Sequence, residues 1–235
     1  MKIYALKCIE ISNHLFNVLI KFISQDKRNK IYRFMNNNDK YRALISEILI
    51  RTIIHEELNM PNDKICIIKN EYGKPYLKSF KNFHFNISHS GDWVVCADDD
   101  KPIGIDIEKI QPIEYSDLSK RFYTEKECKF IFNSSLNEQL NNFYRIWTLK
   151  ESYVKADGRG LSIPLKSFSI DINDYENIKV FTSNKLKDCY FKEFNFDSDY
   201  KMSVCSVDNI FTSEVDIISQ NNLIYRFMSS VMKGE

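Results

Sequence analysis

The chain has 235 residues, 43% hydrophobic and 14% aromatic, enough for a packed core in one large domain or two small ones. A formal net charge of +1 gives no global field to recruit nucleic acid or a membrane, so any polyanion site must be a local cluster. Six scattered cysteines make no C-x-x-C, which fits neither a zinc site nor a disulfide scaffold and indicates free thiols in a reducing compartment.

Lys7 and Glu10 interrupt the first apolar run before a leader forms, and no run approaches membrane-spanning length, so a cytoplasmic protein is expected. Residues 2–8 read as a strand. Leu15, Phe16, Leu19, Ile20 and Ile23 recur at helical spacing over 14–23. Ser24 can cap a short segment over 25–34, and the asparagines at 36–38 are a loop. A longer helix over 39–58 carries Leu44, Ile45, Ile48, Leu49, Thr52 and Ile53 as its apolar stripe and stops before Pro61. A strand follows over 64–69, then a turn at 71–75 marked by Gly73 and Pro75.

Strands over 83–87 and 93–97 are joined through Ser88-His89-Ser90-Gly91-Asp92, with a polar turn at 98–100. Residues 102–108 read P-I-G-I-D-I-E. Successive strand side chains face opposite ways, so Ile103, Ile105 and Ile107 share one face and Asp106 and Glu108 share the other. Two readings fit the paired acids: an exposed edge strand with both solvated, or a site where a hard cation separates them. Thr124 and Glu127 form a capping box for a helix ending near 132, and a second long helix runs over 138–156 to Asp157-Gly158. Strands follow over 168–172, 178–182, 190–194, 202–207 and 215–218, with a short helix or tail over 221–232. Two α+β halves therefore meet near residues 98–104, giving domains of 1–100 and 101–235.

The second long helix holds Trp147, Glu151 and Lys155 at four-residue spacing on one face. Taken alone, Glu151 and Lys155 make an ordinary surface pair; beside Asp106 and Glu108 they can complete a cation site with a lysine to balance phosphate charge. Lys27, Arg28, Lys30 and Arg33 form a basic cluster, with Arg42 beyond it, and Ser88-His89-Ser90-Gly91 offers small residues and a histidine to an anion. The sequence contains no P-loop, no G-x-G-x-x-G, no G-x-S-x-G and no H-E-x-x-H.

Taken together, the motifs resemble those of the 4′-phosphopantetheinyl transferases, specifically the larger surfactin-synthetase-activating (Sfp) type. The resemblance covers nearly the whole chain. It rests on Tyr72-Gly73-Lys74-Pro75, the N-I-S-H-S-G run at 86–91, G-I-D-I-E at 104–108, Arg121-Phe122-Tyr123-Thr124, W-x-x-K-E-x-x-x-K at 147–155, and Gly158 to Leu161. It implies a monomer of two α+β halves related by a pseudo-twofold axis, with coenzyme A in the cleft between them. It implies transfer of the phosphopantetheine arm to a serine of an acyl or peptidyl carrier protein, as in nonribosomal peptide (antibiotic), polyketide or fatty-acid synthesis, releasing 3′,5′-ADP. By the family pattern, Asp106, Glu108 and Glu151 bind Mg²⁺ (or Mn²⁺), Glu151 is the base, and Lys155 contacts the pyrophosphate. Ser88 and His89 hold phosphate oxygens. Lys27 (or Arg28), Lys30 and Arg42 take the 3′-phosphate, Lys74 and Pro75 border the adenine, and residues 158–189 dock the carrier. Glu127 has a helix-capping role, or a supporting one with metal-bound water.

Overall fold

Small polar side chains start the helices, at Ser24 and Thr124 as expected, and at Asn36 within the stretch expected as a loop, so the first long helix opens at Asn37 rather than at 39. Ser12, Ser24 and Asn36 accept the backbone N–H groups of Leu15, Lys27 and Asn38, and the Thr124–Glu127 capping box is complete. The computed structural model describes residues 1–172 and 177–232. The first half comprises β1 (Lys2–Lys7), α1 (Asn13–Leu19), α2 (Gln25–Tyr32), α3 (Asn37–Leu58), β2 (Ile67–Lys69), β3 (Pro75–Leu77), β4 (His84–Ser90) and β5 (Trp93–Asp99). The second comprises β6 (Ile103–Lys109), α4 (Tyr115–Phe122), α5 (Glu125–Phe132), α6 (Leu136–Asp157), β7 (Ser169–Ile172), β8 (Ile178–Phe181), β9 (Tyr190–Glu193) and β10 (Tyr200–Ser206). Last come β11 (Asp216–Ile218) and α7 (Gln220–Met232).

The halves repeat one topology. Each runs strand, two short helices, a 22-residue helix, a small hairpin and two antiparallel strands. In each, the first strand pairs antiparallel with the last, giving the orders β1-β5-β4 and β6-β10-β9. This is the expected α+β architecture of two similar halves. Among the described residues no helix is long and apolar enough to cross a membrane.

Alternation along the strands sorts the layers. Leu6, Val94 and Cys96 of the first sheet join Leu44, Ile48 and other buried residues of α3 in one core. Ile3, Ala5, Val95 and Ala97 on its other face pack with Ile103, Ile105, Ile107, Met202 and Val204 of the second sheet. The β6 isoleucines thus form the apolar contact between the halves, and the opposite face of β6 is left for α6. Gly104 lies on that face, where a Cβ would overlap the Ser152 carbonyl and the Ala156 amide.

Several boundaries differ from those expected. The S-H-S run is not a connector but the end of β4, because its alternate side chains have partners on β6. Helix α4 and strand β3 are additions to the expected elements: Tyr115, Leu118 and Phe122 of α4 do recur at helical spacing and pack against one core, whereas β3 is only three residues long. Residues 221–232 are helix, within α7. A division at residue 100 places 216–232 in the second half, whereas the topology places them with the first. β11 pairs parallel with β1, and Ile218, Leu223 and Phe227 are buried in the α3 core. That partnership joins segments from opposite ends of the chain and leaves no local sequence signal.

Candidate active site

The two halves meet at a seam between β4 and β6 that polar side chains build. Asn86 Oδ1 accepts the Ile105 N–H at 2.8 Å, Ser88 Oγ accepts the Ile107 N–H at 3.4 Å, and Ser90 Oγ accepts the Lys109 N–H at 3.1 Å. Side chains two residues apart on one strand thus take backbone amides two residues apart on the next. The same hydroxyls donate to the acids: Ser88 to Asp106 Oδ1 at 2.8 Å and Ser90 to Glu108 Oε2 at 2.7 Å. The period-two spacing of Asn86, Ser88 and Ser90 was the sequence signal for this seam; none of the three was read as a partner of β6.

Helix α6 closes the site from the other side. Lys155 Nζ lies 2.5 Å from Asp106 Oδ1, 3.0 Å from Ser88 Oγ and 3.2 Å from the Ile105 carbonyl oxygen. Asp106 is 3% exposed, which excludes the solvated edge-strand reading of the paired acids. Its second oxygen, Oδ2, is buried with no hydrogen-bond partner. Asp106, Glu108, Glu151, Lys155, Ser88 and His89 all line one cleft of about 860 Å³. The rest of its lining is largely apolar: Phe122, Leu161, Ile163, Pro164 and Leu165, with Trp147 on the same helix face as Glu151 and with Arg121 and Lys166 as further cations. Phe122 and Trp147 meet edge to face at 5.8 Å.

Charge in the cleft is crowded. Burial, then the Asp106 charge, pushes the Glu151 carboxyl up to about 7, with Lys155 pulling it back and Glu108 adding to the rise. Burial raises Asp106, opposed by Lys155 and Ser88. Burial and then Asp106 raise Glu108, while Ser90, Lys155 and the Trp147 indole favour its ionised form. Burial holds His89 below its ordinary value, helped by the charges of Arg42 and Lys155.

Among the described residues, no group of three or more His, Cys, Asp or Glu side chains is closed tightly enough to hold a metal ion. Lys155 stands against Asp106 on the side a cation would share. The donor chemistry nevertheless fits a hard cation: the acids offer only oxygens, they repel one another, and Asp106 Oδ2 is an orphaned buried acceptor.

The other expected binding residues lie off this cleft. Lys27 is paired with Glu47 at 3.4 Å. Burial and the charges of Lys30 and Lys27 hold the Lys69 amine below its ordinary value, so these three cations are neighbours. Lys69, on β2, is a member of that group that sequence reasoning missed. Arg42 donates to the Gly91 carbonyl at 2.7 Å, pairs with Asp39 and lines a separate hollow of about 210 Å³. Lys74, expected at the adenine, has its ammonium between the halves, on the Ile103 and Ala156 carbonyls at 3.0 and 3.3 Å. Burial pulls that amine down to about 8. Pro75 opens β3 beside it.

Glu127 faces away from the cleft and all its acceptor capacity is taken. Oε2 accepts the Thr124 N–H and hydroxyl, and Oε1 accepts Lys150 Nζ at 2.5 Å and the Ile170 N–H at 2.7 Å. The capping role holds, and the carboxylate has no contact with the site's acids.

Comparison with known proteins agrees with this layout. Residues 10–101 match the family model described as 4′-phosphopantetheinyl transferase, N-terminal, and residues 102–205 match that of the 4′-phosphopantetheinyl transferase superfamily. The chain is 38% identical to 4′-phosphopantetheinyl transferase Sfp of Bacillus subtilis (strain 168) over 205 residues, covering 87% of this chain and 91% of the relative. Identity to 4′-phosphopantetheinyl transferase gsp of Aneurinibacillus migulanus is 41% over 198 residues, 84% of this chain and 82% of the relative. Identity to 4′-phosphopantetheinyl transferase ffp of Bacillus subtilis is 36% over 225 residues, 95% of this chain and 100% of the relative. With both halves matched and such relatives aligned along most of its length, the chain belongs to the 4′-phosphopantetheinyl transferase superfamily, as an enzyme of the Sfp type.

Proposed function

We propose that the protein transfers the 4′-phosphopantetheine arm of coenzyme A to a serine hydroxyl of an apo acyl or peptidyl carrier protein, in the cytoplasm and as a monomer. One observation carries the mechanism: Asp106, Glu108, Glu151 and Lys155, from two separate motifs, line one cleft at the junction of the halves. A single chain supplies both sides of that cleft, which supports action as a monomer.

Asp106, Glu108 and Glu151 would hold Mg²⁺, with Mn²⁺ an alternative of the same oxygen-loving class. When bound, the ion supplies charge neutralisation and polarisation at the pyrophosphate. The remaining chemistry falls to the chain's own groups. The carrier serine Oγ attacks the phosphorus that bears the pantetheine arm. A new P–Oγ bond forms, the pyrophosphate P–O bond breaks, and 3′,5′-ADP leaves with the bridging oxygen. Glu151, on the α6 face that lines the cleft, takes the serine proton. Lys155 faces the leaving phosphate and offsets the charge that develops there. His89 and Ser88 stand beside the donor's oxygens.

Lys27, Lys30 and Lys69 form a cationic group suited to the 3′-phosphate, with Arg42 a further cation on the same half. Pro75 borders the adenine. Residues 158–189 dock the carrier, of which 173–176 lie outside the described residues. Carriers of nonribosomal peptide (antibiotic), polyketide and fatty-acid synthesis share the acceptor serine chemistry.

The test is reconstitution. Protein, coenzyme A, Mg²⁺ and an apo carrier are mixed, and the carrier mass is read; the expected result is the holo mass. Failure to convert any of several carriers overturns the reading. Cleavage of coenzyme A with no carrier present would favour a phosphohydrolase.

A further inference from the structure

One ion pair stands outside the mechanism described so far. Glu127 and Lys150 have side chains 0% exposed, and Lys150 directly precedes Glu151. Successive helix residues are turned about 100° from each other, so when Glu151 faces the cleft Lys150 faces away from it. Its ammonium donates to Glu127 at 2.5 Å and to the Phe168 carbonyl at 2.8 Å. Glu127 in turn accepts the Ile170 N–H, and Thr124, its capping partner, bonds the Ser169 hydroxyl at 3.1 Å. The pair thus joins α5, α6 and the entrance to β7.

The segment it holds is the continuation of the cleft's apolar wall. Leu161, Ile163, Pro164, Leu165 and Lys166 line the same cleft as the acids. That wall is held at its start by Asn70, whose amide donates to the Gly158 carbonyl at 2.8 Å, and at its end by Lys150 on Phe168. Stability alone does not call for such an end point. A buried ion pair loses the hydration of both charges, and an apolar pair of similar volume often holds a fold as well or better. What apolar contact lacks is direction. An ammonium aimed at one carboxylate oxygen and one carbonyl fixes where Phe168 and Ile170 sit relative to Glu151.

We propose that Glu127 and Lys150 are positioning residues that set the apolar wall at 160–168 against Glu151, and so the seat of the acceptor carrier. This rests on the transferase reading above. The acids, Lys155 and His89 face the anionic donor, which leaves the apolar wall to the uncharged side of the acceptor. Loss of the directed bonds therefore weakens use of the carrier and leaves coenzyme A binding intact.

The experiment uses the full chain, a carrier that the wild-type enzyme converts, and three variants: Glu127→Gln, Lys150→Met, and the two combined. Coenzyme A affinity is read by calorimetry, and carrier KM and kcat from holo-carrier formation well below the lowest Tm. Lys150→Met leaves a buried carboxylate unpaired, so its Tm falls. The combined variant removes both charges and its Tm returns toward wild type. Its carrier KM stays raised by about tenfold, with coenzyme A affinity within about twofold. Recovery of KM together with Tm overturns the proposal, since the pair would then serve stability only. So does a parallel loss of coenzyme A affinity. Amide hydrogen exchange gives a readout independent of turnover: residues 160–170 exchange faster in the combined variant while 84–109 keep their protection. Unchanged exchange at 160–170 overturns the proposal even if no carrier is converted, whereas an inactive wild type overturns only the transferase reading.

Discussion

At Asp106 one carboxylate oxygen is held by Ser88 and Lys155, while the other is buried without a partner. A cation is the simplest group to complete it. Asp106→Asn is expected to lower turnover by roughly 100-fold or more, as loss of a preorganised charge at a phosphoryl centre does. Excess Mg²⁺ should raise the Tm of the wild type and leave that of Asp106→Asn unmoved, because only the former binds the ion in its folded state. Equal shifts in both proteins would contradict the metal assignment. A second buried acid makes a prediction about stability alone. Burial, then the charge of Glu57, pushes Asp98 up to about 6, and its Oδ2 has no partner. The folded chain therefore binds this proton more tightly than the unfolded chain, whose aspartate titrates near about 3.9. The stability from this group is full below about pH 4 and is lost as pH rises to about 6. Above that the ionised carboxylate costs on the order of 3 kcal/mol. Asp98→Asn should therefore raise Tm at pH 8 and have little effect at pH 4, measured by thermal denaturation; a lower Tm at pH 8 would refute the sign.

Elements decide how those residues meet. In β6 the isoleucines face the contact between the halves, and Gly104, Asp106 and Glu108 face α6. Gly104 lets the helix backbone approach closely enough for Lys155 to reach Asp106. Gly104→Ala places a methyl into the Ser152 carbonyl and the Ala156 amide, neither of which can turn aside as a side chain can. Overpacking of this kind typically costs about 1–3 kcal/mol, and here it also separates the lysine from the acid. The expected result is a Tm lower by several degrees with most turnover lost, checked by calorimetry and the carrier assay. Much of this was legible in sequence. Alternation at 103–108 placed both acids on one strand face, and four-residue spacing placed Glu151 and Lys155 on one helix face. The docking of the two faces depends on backbone approach, which neither period encodes. For the same reason the partners of the Lys74 ammonium were not legible: only the packed halves place it on the carbonyls of Ile103 and Ala156.

Across the whole molecule, the chain ends by returning to its beginning. β11 covers the edge of β1, Gln220 exchanges hydrogen bonds with both the N–H and the carbonyl of Ile9, and α7 buries Leu223 and Phe227 beside α3. β11 lies parallel on β1, and β4 lies beside β6 in the same sense, so each half's first strand has a neighbour from a distant segment. Removing residues 216–232 exposes a strand edge and forfeits burial of Ile218, Leu223 and Phe227, worth about 5–8 kcal/mol at typical side-chain values. That approaches the whole stability of an ordinary domain. The truncated chain should be recovered as aggregate, and a soluble, cooperatively melting product in size-exclusion chromatography and thermal denaturation would contradict the assignment of these elements to the first half's core.

The sequence by itself determined the α+β class, the pairing of Asp106 with Glu108 and of Glu151 with Lys155, the capping box at Thr124 and the family resemblance. These are local periods and short motifs, and a strand or helix carries them wherever it is placed. Tertiary structure alone decided that β4 and β6 join through Asn86, Ser88 and Ser90, that Lys74 ties the halves together, that Glu127 and Lys150 form a buried pair, and that the last helix belongs to the first half. Each of these depends on groups brought together from distant stretches of chain, and the physical reason for each is a hydrogen bond or apolar burial that exists only once the layers have packed.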